Sequence, residues 1–549
     1  MDYTLDTMLD RFCEKINKVA TITIFAIFIA LATMLAFAAI ITSKNMARDF
    51  SETQIWSLKN NAISLPVLAV LIVLALITYK QIINIPQALL KALAVNYTLL
   101  ICFIWTSIIS WSPTQDQRIL IDIASDLNAD FNNGHLDTYG IDLKEYVKMY
   151  PFQTGYILFY KVFGWIWGYQ NWTAIRLFNS IMVAGCVLAI FSITKEVFSR
   201  QAACVSLVIT GMFLPLFLFS NFAYGNIPSL CCALFALLAQ IKATRTEDSI
   251  TFIKYASASV LLIMIATIFK PNALIFVLTM CIIWLVEGIS NTKYTFLIPL
   301  LATFIAYRTV TPLTTSIFST MSGGVTFNHA MPLMSHFAMG LQESEALRLP
   351  GWFNGYSITV YRQAHGDPSL MQEIATAAVI DRLSIFFNQP IYAVSFFIRK
   401  VCSMWIEPTF QSLWISFGGG HGFEPFNGSW IQQSIVYGKL FAVYNIFCDA
   451  VQSLIYLLAC IYLWSSRKAI SFKHLYLAIA FLGGFLYHLI SEGKSDYVLP
   501  YFILLIPYAS AGFVIVRDYI TKLLTSHNWV GGCGRFLGDR TERFSYVQS

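Results

Sequence analysis

The chain has 549 residues, of which 57% are hydrophobic and only 12% are charged, and its mean hydropathy is +0.63. Soluble domains carry roughly 25% charged residues, so this composition excludes a soluble globular protein and indicates a chain that crosses a membrane several times. The net charge of +6 is too small to indicate a nucleic-acid partner.

The first three apolar runs set the predicted topology. Basic residues precede the run 19–42, and basic residues before a first span place the N-terminus in the cytoplasm. Residues 62–79 then return, and residues 89–111 cross outwards. The loop that begins at residue 112 is therefore predicted to be external.

The start of this external loop holds the main candidate residue. Thr114 and Gln117 have the spacing of a capping box, which predicts that a helix begins at Thr114. Asp116 then falls in the first turn, where the helix dipole favours a carboxylate. A base held ionised at the membrane surface suits deprotonation of an acceptor hydroxyl. A carboxylate that only stabilises a helix start is the alternative, and this motif alone leaves both open.

The rest of the external loop is acidic. Asp122, Asp126 and Asp130 recur every four residues, with apolar residues on another face. This pattern predicts an amphipathic helix lying against membrane or protein. The three acids form either a solvated face or one wall of a sugar pocket.

Two apolar stretches are predicted to lie in the membrane interface instead of crossing it. If residues 150–168 spanned the membrane, the basic loops around Lys195 and Lys242 would lie outside, against the usual charge bias. The stretch 389–405 contains adjacent basic residues and is assigned in the same way.

The remaining runs bring the predicted number of spans to twelve, with both termini in the cytoplasm. Residues 312–436 form the longest connection, predicted to be external and to include a soluble helix over 368–386; a connection this long is usually functional. The further spans are 176–194, 202–219, 227–241, 255–269, 272–289, 294–311, 437–464, 475–490 and 497–516.

These elements divide the chain into five predicted regions. They are an N-terminal segment with two added helices (1–88), a transmembrane core (89–311) with an external catalytic loop (112–175), an external region (312–436), C-terminal transmembrane helices (437–516) and a basic cytoplasmic tail (517–549).

No metal site is predicted. Most of the eleven cysteines lie inside apolar runs, without zinc-type spacing, and read as small hydrophobic residues. The histidines of the long connection are not spaced as ligands. We expect no cofactor, and the residues leave dependence on a divalent metal open.

Six short motifs follow Asp116 along the chain. They are YPFQTG (150–155), Arg176-Leu177, MGL (339–341), PGWFNG (350–355), WIEPTFQSLW (405–414) and EGKSDY (492–497). Together with the topology, this order resembles the membrane-embedded GT-C glycosyltransferases, especially the family 39 type related to protein O-mannosyltransferases, and their Gram-positive bacterial relatives. The resemblance covers roughly residues 89–516, and Asp496 stands where relatives often have arginine.

The resemblance implies an all-α polytopic membrane protein: a GT-C-like bundle of about twelve transmembrane helices, with a long first external loop and a larger mixed external region. It implies an inverting glycosyltransferase with a polyprenyl-phosphate-linked sugar as donor. A hydroxyl would attack the anomeric carbon and polyprenyl phosphate would leave. This chemistry needs a base near the acceptor and cations near the phosphate. Asp116 is the candidate base.

Cations at the external membrane edge are the phosphate-binding candidates. Lys270 lies in a tight turn between two spans, an unfavourable place for a charge without a partner. Lys494 lies beside Tyr497 in the last external turn, and Arg308 lies one turn before the long connection. Arg176 opens a span. Each of these cations has snorkelling or helix anchoring as its alternative explanation.

The sugar-binding candidates are aromatic and polar residues. Trp405 and Glu407 belong to one of the motifs above, and Gln153 belongs to another. For the tryptophan, membership of an interfacial aromatic belt is the alternative.

Two other functions compete with glycosyl transfer. A transporter or flippase for lipid-linked saccharides would need ionisable groups or broken helices at mid-membrane, and the predicted spans have few. A polymerase of lipid-linked repeat units would use paired arginines in large external loops, and Arg348 and Arg362 leave this alternative open. The expected partners are the lipid-linked donor, an acceptor on a cell-envelope glycan, lipid or protein, and membrane lipids, and the expected location is the plasma membrane.

Overall fold

The computed structural model describes residues 2–47, 53–59, 61–109, 113, 115–128, 131, 142–291, 293–343, 349–417 and 428–526. Within these residues, eleven helices are long and apolar enough to cross a membrane, and two helices bent by 63° at one break can form a twelfth crossing. The predicted all-α, multi-pass membrane protein with about twelve spans is confirmed.

The first two spans are joined by a β-hairpin that the sequence did not predict. This N-terminal unit comprises α1 (Asp2–Ile41), β1 (Thr42–Met46), β2 (Gln54–Leu58) and α2 (Asn61–Asn84). The strands are antiparallel, and Thr42 pairs with Leu58. The Gln54 side chain donates to the carbonyl oxygen of Ser403 at 2.8 Å, so the hairpin packs on the long connection.

The next segment builds the first large loop. It comprises α3 (Gln87–Ile108), α4 (Asp116–Asp126), α5 (Leu143–Met149) and α6 (Thr154–Trp167). Helix α6 has 14 residues, about 21 Å, which is too short to cross the roughly 30 Å apolar layer. This length agrees with the predicted interfacial helix at 150–168.

The predicted start of α4 is wrong by two residues. The helix begins at Asp116, after Gln115 in a left-handed conformation with φ of 54°. Thr114 lies outside the described residues. Gln117 serves a tertiary contact instead of a capping box, because its side-chain oxygen accepts the backbone N–H of Ala223 at 2.9 Å.

The central spans follow in order. They are α7 (Trp172–Val197), α8 (Arg200–Met212), α9 (Leu214–Leu218), α10 (Asn226–Arg245), α11 (Ser249–Phe269), α12 (Leu274–Ser290) and α13 (Leu297–Met321). The α8–α9 pair is the bent crossing. Helix α13 ends ten residues later than predicted because Pro312 lies within it without ending it.

The long connection is mostly helical. It contains α14 (Leu333–Gly340), α15 (Tyr356–Gln363), α16 (Pro368–Asn388), α17 (Pro390–Trp405), α18 (Ser412–Ser416) and α19 (Trp430–Val436). Helix α16 is the predicted soluble helix and α17, at about 24 Å, is the second predicted interfacial helix.

The C-terminal spans complete the bundle. They are α20 (Lys439–Ser466), α21 (Tyr476–Ile490), α22 (Ser495–Phe502) and α23 (Ile506–Ser526). Residues 517–526 therefore continue a helix, and the rest of the predicted basic tail lies outside the described residues.

The two largest hydrophobic clusters hold most of these elements together. The larger one packs the spanning helices together and includes Leu237, Ile455 and Phe502. The second joins α4, α5 and α6 to the end of α13 and to α15, and it includes Ile123 and Tyr156. Because each crossing reverses the chain, the hairpin, α4–α6, α14–α19 and the turns after α11 and α21 share one end of the bundle, called the site face below.

A buried ion pair attaches the N-terminal unit to the bundle. Lys59 Nζ lies 2.8 Å from Asp449 Oδ2, and their side chains are 3% and 8% exposed. The same Nζ donates at 2.6 Å to the Ala39 carbonyl and to the Ser453 hydroxyl. The pair thus links α1 and the segment before α2 to α20.

Breaking this pair should destabilise the protein strongly. We expect Lys59→Met to lower the free energy of unfolding by about 3–5 kcal/mol, because it leaves the Asp449 carboxylate buried without a counter-charge. The double variant Lys59→Met/Asp449→Leu should recover most of the loss. Thermal unfolding in detergent measures both, and equal stability of the two variants would contradict this account.

Candidate functional site

Asp116 is fixed in place by the packing of α4. The apolar side of this helix, with Leu120 and Ile123, is buried against α6. The contact between Gln117 and Ala223 fixes the first turn of α4 to the segment before α10. The Asp116 side chain remains exposed at the site face, so a substrate can reach it.

Two tyrosine hydroxyls hydrogen-bond to this carboxylate. The Tyr224 hydroxyl donates to Asp116 Oδ2 at 3.4 Å. Tyr146, on α5, hydrogen-bonds to the same side chain. Gln153 donates to the Tyr224 hydroxyl at 2.5 Å and holds it in position. Gln153 therefore does not contact Asp116 itself but positions the Tyr224 hydroxyl that does.

Two lysines from distant parts of the chain lie near Asp116. Lys270 and Lys494 are the two cations that stabilise its negative charge. Lys270 Nζ also lies 3.7 Å from the centre of the Tyr224 ring. Lys494 Nζ lies 5.7 Å from the ring centre of Phe353, in the long connection. The structure thus brings the three predicted residues together.

The close approach of Lys270 and Tyr224 requires a glycine. Gly225 has a φ of +74°, a left-handed conformation that favours glycine. A Cβ atom there would lie 2.4 Å from the carbonyl oxygen of Phe269, the residue before Lys270. Only a residue without a side chain lets the two turns meet.

Further acidic residues surround the lysines. Glu492, in the turn between α21 and α22, and Asp496, in the first turn of α22, lie two residues before and after Lys494 and, with Asp116, stabilise the charge of Lys270. The Tyr497 hydroxyl donates to Glu492 Oε1 at 3.3 Å. Position 496, where relatives of the resembling family often have arginine, thus carries a carboxylate that stabilises the charge of Lys270.

The surroundings of the central groups change their acidity. Although Asp116 keeps contact with solvent, desolvation by the surrounding protein raises its pKa, while Lys494, Lys270 and the two tyrosine hydroxyls oppose that effect. Burial lowers the pKa of Lys270 to about 8, against the pull of the neighbouring carboxylates. The helix start was expected to keep Asp116 ionised, whereas the dominant effect acts the other way and makes it a stronger base.

A cavity opens from Lys270 between α10, α12 and α22. It is small, with a volume of about 30 Å³. Asn226, Asn272 and Tyr497 supply polar groups near Lys270, and Leu230 and Phe276 line an apolar part. The cavity therefore joins polar groups beside Lys270 to an apolar wall of the helix bundle.

Two predicted sugar-binding residues do not reach the site. Trp405 and Glu407 are both fully buried. The Glu407 carboxylate accepts hydrogen bonds from the backbone N–H groups of Thr409 and Gln411, both at 2.8 Å, and from the Ser495 hydroxyl at 2.8 Å. The prediction that these two residues contact sugar is wrong in this structure, because protein groups occupy all of their surroundings.

The two predicted arginines have different positions. Arg308 is exposed on α13, about 20 Å before the end of that helix. The prediction that it lies one turn from the long connection is wrong, because α13 continues to Met321. Arg176 is half-buried in the second turn of α7.

Sequence reasoning missed Tyr146, Tyr224 and Glu492. Tyr224 precedes a glycine in a short turn at the site face, and this is the signal that could have found it. Glu492 opens the motif EGKSDY (492–497) beside Lys494, whereas Tyr146 carries no such signal. Among the residues that the structure describes, no three His, Cys, Asp or Glu side chains are grouped to hold a metal ion.

No protein-family model and no curated protein sequence matches the chain. Solved structures that resemble it in fold include the oligosaccharyltransferase of Archaeoglobus fulgidus in the apo form and in complex with Zn and sulfate. Each has 13% sequence identity and covers 80% of this chain and 51% of the other, with TM-scores of 0.43 and 0.42.

A third similar structure is the archaeal oligosaccharyltransferase AglB from Archaeoglobus fulgidus, in complex with an inhibitory peptide and a dolichol-phosphate. It has 13% identity and a TM-score of 0.43, and covers 83% of this chain and 52% of the other. The chain therefore spans about half the length of these proteins. The comparisons give no support to the family 39 or Gram-positive assignment.

Proposed function

We propose that the protein is a membrane glycosyltransferase of the GT-C type. It transfers a sugar from a polyprenyl-phosphate-linked donor to a hydroxyl of a cell-envelope acceptor at the external face of the plasma membrane. The observation that carries the proposal is that Asp116 lies near two cations: its carboxylate accepts from the Tyr224 hydroxyl, the ring of Tyr224 lies 3.7 Å from Lys270 Nζ, and Lys270 and Lys494 both stabilise its charge. The motifs at 150–155 and 492–497 support a relation to the family 39 type.

The reaction follows from the charges of the site. Asp116 takes the proton of the acceptor hydroxyl as its oxygen attacks the anomeric carbon. The bond between that carbon and the phosphate oxygen breaks, and polyprenyl phosphate leaves with the bonding electrons. Lys270 and Lys494 stabilise the negative charge that develops on the leaving oxygen. Attack opposite the leaving group inverts the anomeric configuration.

The cavity beside Lys270 supports a lipid-linked donor. A phosphate against the Lys270 ammonium group can continue into an isoprenoid chain along Leu230 and Phe276. Its polar end contains Lys270, and its apolar end lies among membrane-spanning helices. A soluble nucleotide-sugar donor would gain nothing from that apolar wall.

Removal of the proposed base should abolish transfer without unfolding the protein. We expect Asp116→Asn to lower turnover by about 10²–10⁴-fold, because the amide cannot accept the hydroxyl proton. Release of polyprenyl phosphate by purified protein in detergent measures this. Asp122→Asn on the same helix is the matched control, since Asp122 pairs with Arg118 at 2.8 Å and lies away from the lysines.

Turnover by the Asp116→Asn protein at the rate of the Asp122→Asn control would contradict the role of Asp116. Movement of lipid-linked sugar across vesicles without bond formation would instead support a flippase.

Loss of either lysine charge should impair leaving-group departure. We expect Lys270→Met and Lys494→Met each to lower turnover by about 10²–10³-fold, the usual effect of removing one stabilising group from a developing oxyanion. Inhibition by added polyprenyl phosphate should weaken in parallel. Unchanged product inhibition in both variants would show that these lysines do not meet the phosphate.

The rate should depend on pH with a bell-shaped profile. Asp116 must be deprotonated, so the rate falls as the pH drops through a pKa raised above the ordinary value of about 4. Lys270 must be protonated, so the rate also falls as the pH rises through about 8.

The variant Lys270→Arg separates the two limbs, because a guanidinium group does not titrate in this range. Its alkaline limb should move to higher pH while the acid limb stays in place. An alkaline limb that remains near pH 8 in Lys270→Arg would assign that limb to another group.

A further inference from the structure

The turn between α21 and α22 carries much of the site, and it is short. Residues 491–494 join the two helices, and Lys494, Asp496 and Tyr497 follow within one turn of one another. Backbone contacts attach this turn to the long connection. The N–H of Glu492 donates to the His336 carbonyl at 3.2 Å, and that of Gly493 donates to the Gly351 carbonyl at 2.9 Å.

A buried lysine holds the start of the turn. Lys400, on the interfacial helix α17, is 0% exposed. Its Nζ donates to the Gly340 carbonyl at 2.6 Å and to the Ser491 carbonyl at 2.8 Å. Gly351 packs against it so closely that a Cβ atom there would lie 2.6 Å from Nζ. Through Nζ, Lys400 thus links the end of α14 to the start of the turn and also packs against Gly351.

A buried glutamate holds the other end of the turn. The Ser495 hydroxyl donates to Glu407 Oε2 at 2.8 Å. Glu407 follows the end of α17, and its remaining hydrogen bonds fix the segment in which Phe410 and Gln411 have positive φ angles of 50° and 56°. Non-glycine residues in this conformation are strained and need such support.

Stability alone does not explain these two residues. Burying a charged side chain is costly, and apolar residues of similar volume often stabilise a core equally well. Lys400 donates hydrogen bonds to carbonyl oxygens, and Glu407 accepts them from N–H and hydroxyl groups. The two side chains therefore bond to chain segments and not to each other. The segments that they share are the two ends of the turn that carries Lys494.

We propose that Lys400 and Glu407 are positioning residues that hold Lys494 at the phosphate site from both ends of its turn. This inference rests on the proposed function, in which Lys494 stabilises the departing phosphate. Helix α17 and the segment after it then support the turn that carries Lys494. Lys400 and Glu407 do not contact the sugar themselves.

The test is a double-mutant cycle with Lys494. We expect Lys400→Met and Glu407→Gln each to raise the KM for the lipid-linked donor by at least tenfold in the otherwise unchanged protein. In the Lys494→Met background, the same changes should raise it less than twofold, because the positioned charge is already absent. Arg399→Met is the control, since Arg399 is the neighbour of Lys400 on α17 and pairs with Glu343 at 2.6 Å near the surface.

Two outcomes would overturn the inference. One is an unchanged donor KM in the folded Lys400→Met and Glu407→Gln proteins, and the other is an equal rise in both backgrounds, which indicates general loosening. Hydrogen exchange of residues 491–497 provides a second measurement that does not require activity. It should accelerate in Lys400→Met and stay unchanged in Arg399→Met.

The two proposals fail in different ways. If the unaltered protein transfers no sugar from any lipid-linked donor, the proposed function fails, and hydrogen exchange still decides whether Lys400 fixes the turn. If the unaltered protein is active and Lys400→Met keeps its donor KM and exchange rate, only the positioning role fails.

Discussion

The attraction between one carboxylate and two ammonium groups is the constraint on which the rest of the site depends. Asp116 lies near Lys270 and Lys494 in surroundings that raise the pKa of the acid and lower that of Lys270. Either charge alone would be unfavourable there, and their attraction offsets the cost of desolvation. In the proposed reaction, the carboxylate takes the proton of the attacking hydroxyl while the ammonium groups stabilise the leaving oxygen.

The bundle serves to bring three distant segments to that point. Helix α4 delivers Asp116 after the third span, the turn after α11 delivers Lys270, and the turn after α21 delivers Lys494. Short interfacial helices, α6 and α17, fill the space between the spans and the loops. A rigid membrane scaffold thereby fixes groups that no single loop could hold at these separations.

Buried polar groups away from the site have structural roles that their chemical type alone does not reveal. Glu407 and Lys59 are both buried and both charged, yet one bonds to the turn of Lys494 and the other pairs with Asp449. Such groups are favoured where they satisfy several partners at once. Their positions explain why residues that look suited to substrate lie inside the protein.

The sequence by itself determined the apolar spans and the two short helices near residues 150–168 and 389–405, because apolar length and charge position are properties of local sequence. It also singled out Asp116, Lys270 and Lys494, whose roles belong to the proposed function. It did not determine the hairpin, the true end of α13 or the burial of Glu407 and Trp405. Those depend on contacts between residues far apart in the chain, such as that of Gln54 with Ser403. Only the tertiary structure could place Tyr146 and Tyr224 on the carboxylate of Asp116, since no periodicity or spacing encodes a meeting of three separate loops.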